Sequence, residues 1–228
     1  MTKSQLFRIS GLALQVGAAA FTVYIVVRSV ITAGPDPATF YKEGLWVPIN
    51  ALGVMGSVLV LLGLPGIYAR TASRIGSLGL FGVALIALAW MFLGVFLSLF
   101  GMLVSPWLAD QAPSLVAASA PLPAGFIIAF VSALVIELAG SVLLAIPFIQ
   151  GHVRPRWVGY VLPASALLTV AGDVVASSGP EANVAMNLLT NMGPVLLLVA
   201  LGDLGSQKWA EHVPSGQAGP REHNPSAG

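Results

Sequence analysis

The chain contains no cysteine. That excludes disulfides, thiolate metal sites and cysteine nucleophiles, and it leaves the redox compartment unmarked. Charge is scarce too: Asp, Glu, Lys and Arg make up 8% of the residues, against roughly 25% in an ordinary soluble domain. With 57% hydrophobic residues and a mean hydropathy of +0.89, most of the chain belongs in lipid. The net charge is +1, so no nucleic acid and no acidic partner is expected. Histidine is confined to His152, His212 and His223, all in expected loops or tail. An intramembrane haem or zinc site would lack its usual ligand, so neither a metal nor a cofactor is expected. No lysine falls in an apolar segment, which excludes a retinal Schiff base. The serines and threonines have no histidine beside them in the membrane, which disfavours a hydrolase.

What is present is apolar length. Crossing a bilayer takes about 20 apolar residues, and six segments qualify: Ile9 to Ala33, Val47 to Ala69, Ser77 to Val104, Ala124 to Gln150, Trp157 to Ser178 and Asn183 to Gly205. The first is too long for a signal peptide's apolar core and reads as a retained span. The expected fold is all-α, a polytopic transmembrane bundle of six helices in one domain, residues 1–212, with a disordered Pro/Gly/Ser-rich tail at 213–228. Basic residues gather at alternate ends of these segments: Lys3 and Arg8, then Arg70 and Arg74, then Arg154 and Arg156, then Lys208. The positive-inside rule then places both termini in the cytoplasm of a bacterial cell, with the protein in its inner membrane. Membrane lipids are the expected partners, and the oligomeric state is not legible. Trp46, Trp107, Trp157 and Trp209, with Tyr41 and Tyr68, sit at segment ends as an interfacial belt would. Trp90 lies mid-segment and reads as lipid-facing or packing. A short interfacial helix around Ser114 to Ala120 is expected in the loop Ser105 to Pro123.

The fourth segment carries one charge, Glu137, near its midpoint. Counting in fours gives Gly125, Ala129, Ala133, Glu137, Ser141 and Ala145, one small or polar helix face. Other segments carry similar stripes: Ser165, Thr169, Asp173 and Ser177; Asn183, Asn187 and Asn191; Tyr24, Arg28 and Thr32; and Asn50, Gly53 and Ser57. Polar side chains in lipid are costly and turn inward to meet. Counted from the outer ends, Arg28, Asn50, Asp173 and Asn187 fall in one layer roughly 5–8 Å deep, with Glu137 and Asn191 deeper. The pattern predicts a polar pocket in the outer half, lined by Glu137, Asp173, Arg28, Asn50, Asn187, Asn191, Tyr24 and Thr169. Within it, Arg28 is expected to pair with Asp173, the alternative being that Arg28 snorkels to headgroups. Glu137 has no basic neighbour and is expected as a neutral acid donating to Asn191 or a backbone carbonyl, the alternative being a static packing link. Glu137 and Asp173 differ by about 10 Å in depth on this reckoning, too far for direct acid–base partnership.

There is an internal echo. Gly56-Ser57-Val58-Leu59 recurs as Gly140-Ser141-Val142-Leu143, each followed by a proline (Pro65, Pro147) and a basic loop. Chance similarity between Leu- and Val-rich helices is the competing reading.

Arg154-Pro155-Arg156-Trp157-Val158-Gly159 resembles a basic Pro-Arg-Trp turn before the fifth helix of uncharacterised bacterial six-helix membrane proteins. That resemblance covers this loop alone and implies a fold without an assigned reaction. Membrane-embedded terpene cyclases are similar in being small, all-helical and dependent on intramembrane carboxylates, though no motif matches residue by residue. The expected function is non-enzymatic binding or movement of a small lipophilic or weakly polar solute. The alternatives are a membrane enzyme acting on a lipid or isoprenoid, with Glu137 or Asp173 as catalytic acid, and a structural subunit of a membrane complex.

Overall fold

The structure, a computed structural model, describes residues 3–33, 37–117, 120, 122–153, 155–178, 187–188 and 191–210. The tail at 213–228, Asn183, Glu181 and Arg154 lie outside the described residues. Among those described, every regular element is helical. Helix α1 is Lys3–Ile31 and α2 is Pro37–Phe40. Helix α3, Trp46–Trp90, continues through π-helical Met91–Phe96, α4 (Leu97–Leu99), π-helical Phe100–Val104 and α5 (Ser105–Gln111). One 3-10 turn, Pro113–Leu115, follows. Then come α6 (Ala124–Ile149), α7 (Arg156–Ser178) and α8 (Met192–Ala210).

Five helical stretches are long and apolar enough to cross a membrane: Phe7–Ile31, Trp46–Ala69, Ala72–Gln111, Ala124–Ile149 and Arg156–Val174. Of the sixth expected span, Asn183 to Gly205, the described residues include α8 with its apolar stretch Met192–Leu204, and residues 183–186 and 189–190 lie outside the described residues. Large apolar side chains such as Leu62, Ile128 and Val135 point outward and are at least 60% exposed. Water would penalise such a surface, whereas lipid suits it.

Two expected boundaries moved. The basic stretch after Ala69 is helical, and the chain reverses at Gly76 instead, where φ 57° and ψ −156° interrupt α3. Only glycine adopts that conformation without a Cβ clash. The third span also runs past Val104 to Gln111; of the interfacial helix expected around Ser114 to Ala120 the described residues show the single turn Pro113–Leu115, and residues 118–119 lie outside them.

The helices close a ring: α1 packs on α3, α3 on α6, α6 on α7, α7 on α8, and α8 back on α1. Lipid supplies no hydrophobic drive between helices, so close backbone approach through small residues has to hold them. A Cβ on Gly17 would lie 2.8 Å from the Gly56 carbonyl oxygen, and one on Gly82 would lie 2.9 Å from that of Gly140. The reciprocal contacts match: Gly56 faces Phe21 N and Gly17 O, and Gly140 faces Ile86 N and Gly82 O. Gly193 of α8 meets Thr169 N and Ser165 O of α7 in the same relation. One residue four positions after each second-helix glycine, namely Val60, Leu144 and Leu197, is fully buried. The echo in the sequence therefore coincides with one crossing geometry used in successive hairpins.

Candidate polar site in the helix bundle

Polar side chains gather at the end of the bundle where α1 finishes and α3 begins, called here the Trp46 end. Arg28 donates to the Tyr24 hydroxyl at 3.0 Å, and its guanidinium lies 5.7 Å from the Tyr24 ring and 6.0 Å from the Trp46 ring. Both rings present a negative π face to the cation. Asn187 donates to the Ser29 carbonyl and to Thr32 Oγ1, each at 3.1 Å, which ties the chain before α8 to α1. Asn191 Nδ2 donates to the Asn187 carbonyl at 2.6 Å. Asn50, buried, donates to the Trp46 carbonyl at 2.8 Å and sits against Gly101. Trp46 itself donates its indole N–H to the Gly101 carbonyl at 2.7 Å, linking the two limbs of the α3 hairpin. It is 1% exposed, so it is a buried anchor and not part of an interfacial belt. Trp90 is buried as well, with its ring 4.9 Å from Phe21, and does not face lipid.

Tyr41, between α1 and α3, lies 5.0 Å from the Trp46 ring and bonds Ser105. Burial pushes its phenol up from the ordinary value, a shift that the Arg28 charge and the Ser105 hydrogen bond offset only in part. Lys42 and Asp110 form an exposed ion pair at 3.0 Å across the same end.

The expected Arg28–Asp173 pair does not form. At this end of the bundle the ion pair that forms is Lys42–Asp110. The reason is topological. Helix α8 packs on both α1 and α7, so the helix carrying Arg28 and the helix carrying Asp173 are second neighbours in the ring. Arg28, exposed, turns to the aromatic side chains of its own helix and α3. Asn187 and Asn50 bond backbone and Thr32, and neither serves such a pair.

Glu137 and Asp173 lie on two helices that pack on each other, α6 and α7. Gly159 of α7 packs against Phe148 and Ile149 of α6. From that contact Glu137 lies about three turns back along α6 and Asp173 about four turns on along α7, so both return to the facing sides. Counted along ideal helices from that contact, their levels differ by less than about one turn. Glu137 is 3% exposed. The expected bond from Glu137 to Asn191 is absent among the described residues. Thr169 donates to the Ser165 carbonyl at 3.0 Å and abuts Gly193, so it serves the α7–α8 crossing.

Among the described residues, three polar atoms are buried without a hydrogen-bond partner: Trp90 Nε1, Ser98 Oγ and Ser141 Oγ. Ser141 belongs to the counted stripe, whereas Ser98 carries no periodic signal because π-helical turns surround it. Ser29, Tyr41 and Ser105 also lacked a spacing that marks them.

The chain matches no protein-family model, no curated protein and no solved structure.

Proposed function

We propose that this multi-pass membrane protein binds or moves a small lipophilic or weakly polar solute, entering from the Trp46 end. The observation that supports this reading is the grouping there of Arg28, Tyr24, Asn50, Asn187 and Asn191 on three elements, above the buried Glu137. Such groups are costly in lipid and are kept where a polar interior has a use. We place the protein in a bacterial inner membrane with both termini cytoplasmic, on the loop-charge pattern. A reporter after Lys208 then signals cytoplasm and one at Asp110 signals the outside. The functional test is thermal unfolding in detergent across a panel of lipids, isoprenoids and small solutes. A ligand present at 100 times its Kd adds about 2.7 kcal/mol to the stability of the wild type, and Asn187→Leu with Asn50→Leu removes that gain. A panel without any stabilising member contradicts the reading.

The buried Glu137, on a helix packed against the one that carries Asp173, favours a second reading, an enzyme acting on a lipid or isoprenoid with one carboxyl as acid. Turnover of isoprenoid substrates by membranes containing the protein, lost in Glu137→Gln, is its signature.

A further inference from the structure

We infer that the solute is a lipophilic anion, and that the Arg28 guanidinium and the Tyr24 hydroxyl hold its carboxylate or phosphate head. This rests on the solute reading above and names the chemical class.

Arg28 stands in the last turn of α1, inside a stretch long and apolar enough to cross a membrane. A cation there has two ordinary uses. One is to serve the carbonyls that a helix C-terminus leaves open. Other groups already do so. The Thr32 N–H and hydroxyl both donate to the Arg28 carbonyl at 2.9 Å, the Ala33 N–H donates to Val30 at 3.3 Å, and Asn187 donates to Ser29 at 3.1 Å. The other use is to extend past the helix end toward water and headgroups. Arg28 runs the opposite way, one turn back, to the Tyr24 hydroxyl at 3.0 Å.

The guanidinium is held there by fixed rings. Trp46 is pinned by its indole bond to Gly101, and the Tyr24 ring packs on Gly53. A guanidinium has five N–H donors, and ring faces offer them no lone pair. One donor goes to Tyr24. Among the described residues no carboxylate pairs with Arg28: Asp110 is taken by Lys42, and Asp173 is carried by a second-neighbour helix. The Tyr24 oxygen accepts from Arg28, so its own hydrogen is left to donate onward. Two donor groups in direct contact, one of them charged, suit a single oxyanion.

The planar fork of arginine matches carboxylate and phosphate oxygens two at a time. Arg28 is exposed, which leaves it open to a ligand, while Tyr24 is buried. One turn to either side on α1 lie Ile25 and Ile31, apolar surface for a lipophilic body. A membrane phospholipid and a free lipophilic acid share this chemistry.

The test measures Tm for the full chain in nonionic detergent at constant ionic strength. The probes are oleate, phosphatidylglycerol and inorganic phosphate, with oleyl alcohol and diacylglycerol as uncharged counterparts. Oleate or phosphatidylglycerol raises the Tm in a saturable manner, and its uncharged counterpart does not. The lower half-saturating concentration tells a free acid from a membrane lipid. Arg28→Gln abolishes the response. Arg28→Lys and Tyr24→Phe each raise the half-saturating concentration by about fivefold. Arg74→Gln, exposed beside the Gly76 reversal at the far end of that limb, keeps the wild-type response. Should Arg28→Gln not fold, Arg28→Lys and Tyr24→Phe carry the comparison. A response that survives these variants overturns the inference, as does equal loss in Arg74→Gln or a response to inorganic phosphate alone. Uncharged probes or solutes that stabilise where the anions do not overturn it and leave the solute reading standing. No stabilising member in either set overturns both.

Discussion

The first hairpin, α1 against the 46–75 limb of α3, and the second, the 77–90 limb against α6, share one crossing and differ in what surrounds it. In the first, Gly53 stands three residues before the crossing glycine, Gly56, and the Tyr24 ring packs against it. In the second, Glu137 stands three residues before Gly140, and Ala89 takes the place that corresponds to Tyr24. Small faces large in one copy, and the sizes are exchanged in the other. Ser57 donates to the Gly53 carbonyl, whereas its counterpart Ser141 has no partner. Close backbone approach is thus a reusable frame. The carboxyl and the open hydroxyl occur on one copy only.

The largest effect should come from the frame. Gly56→Val and Gly140→Val each drive a side chain into the opposite backbone, where no flexible group can yield. We expect each to lose about 3 kcal/mol or to fail to fold, read as monomer yield and Tm in detergent. Tolerance of one but not the other breaks the equivalence of the hairpins. Next is the size exchange. A Cβ at Gly53 would lie 3.0 Å from the Tyr24 ring and 2.9 Å from Ser98 Oγ. Gly53→Ala should therefore cost about 1–3 kcal/mol. Adding Tyr24→Ala should recover about 1 kcal/mol of that as a coupling energy in a double-mutant cycle; strictly additive losses would deny the exchange.

Smaller still is the hydroxyl contrast. Ser57→Ala loses a bond worth about 0.6 kcal/mol in a membrane bundle, whereas Ser141→Ala should be neutral or stabilising, since it removes an unpartnered polar atom. Equal destabilisation by both would show that Ser141 is satisfied after all. The smallest effect separates the first hairpin's loop from the rest. The Tyr41 phenol is raised above its ordinary value of 10.0, so the folded state disfavours the phenolate. Its contribution is complete below about pH 10 and falls away as pH rises through the raised value. Tyr41→Phe should flatten that alkaline fall in Tm and leave neutral pH nearly unchanged.

Apolar runs, stripes of small and polar residues and the all-helical class were legible because they depend on one segment at a time. Glu137 and Ser141 stood out for that reason, four residues apart on one face. Hydropathy and periodicity report a helix's length and its inward face, and neither says which helix lies next to it. That choice belonged to the tertiary structure. It set α8 between α1 and α7, and so kept Arg28 from Asp173. It set Gly159 against Phe148, and so fixed the register of α7 on α6. It buried Trp46 against Gly101, where a tryptophan at a helix end had suggested lipid headgroups. Each outcome turns on the register between helices, and register is decided where glycines let two backbones touch.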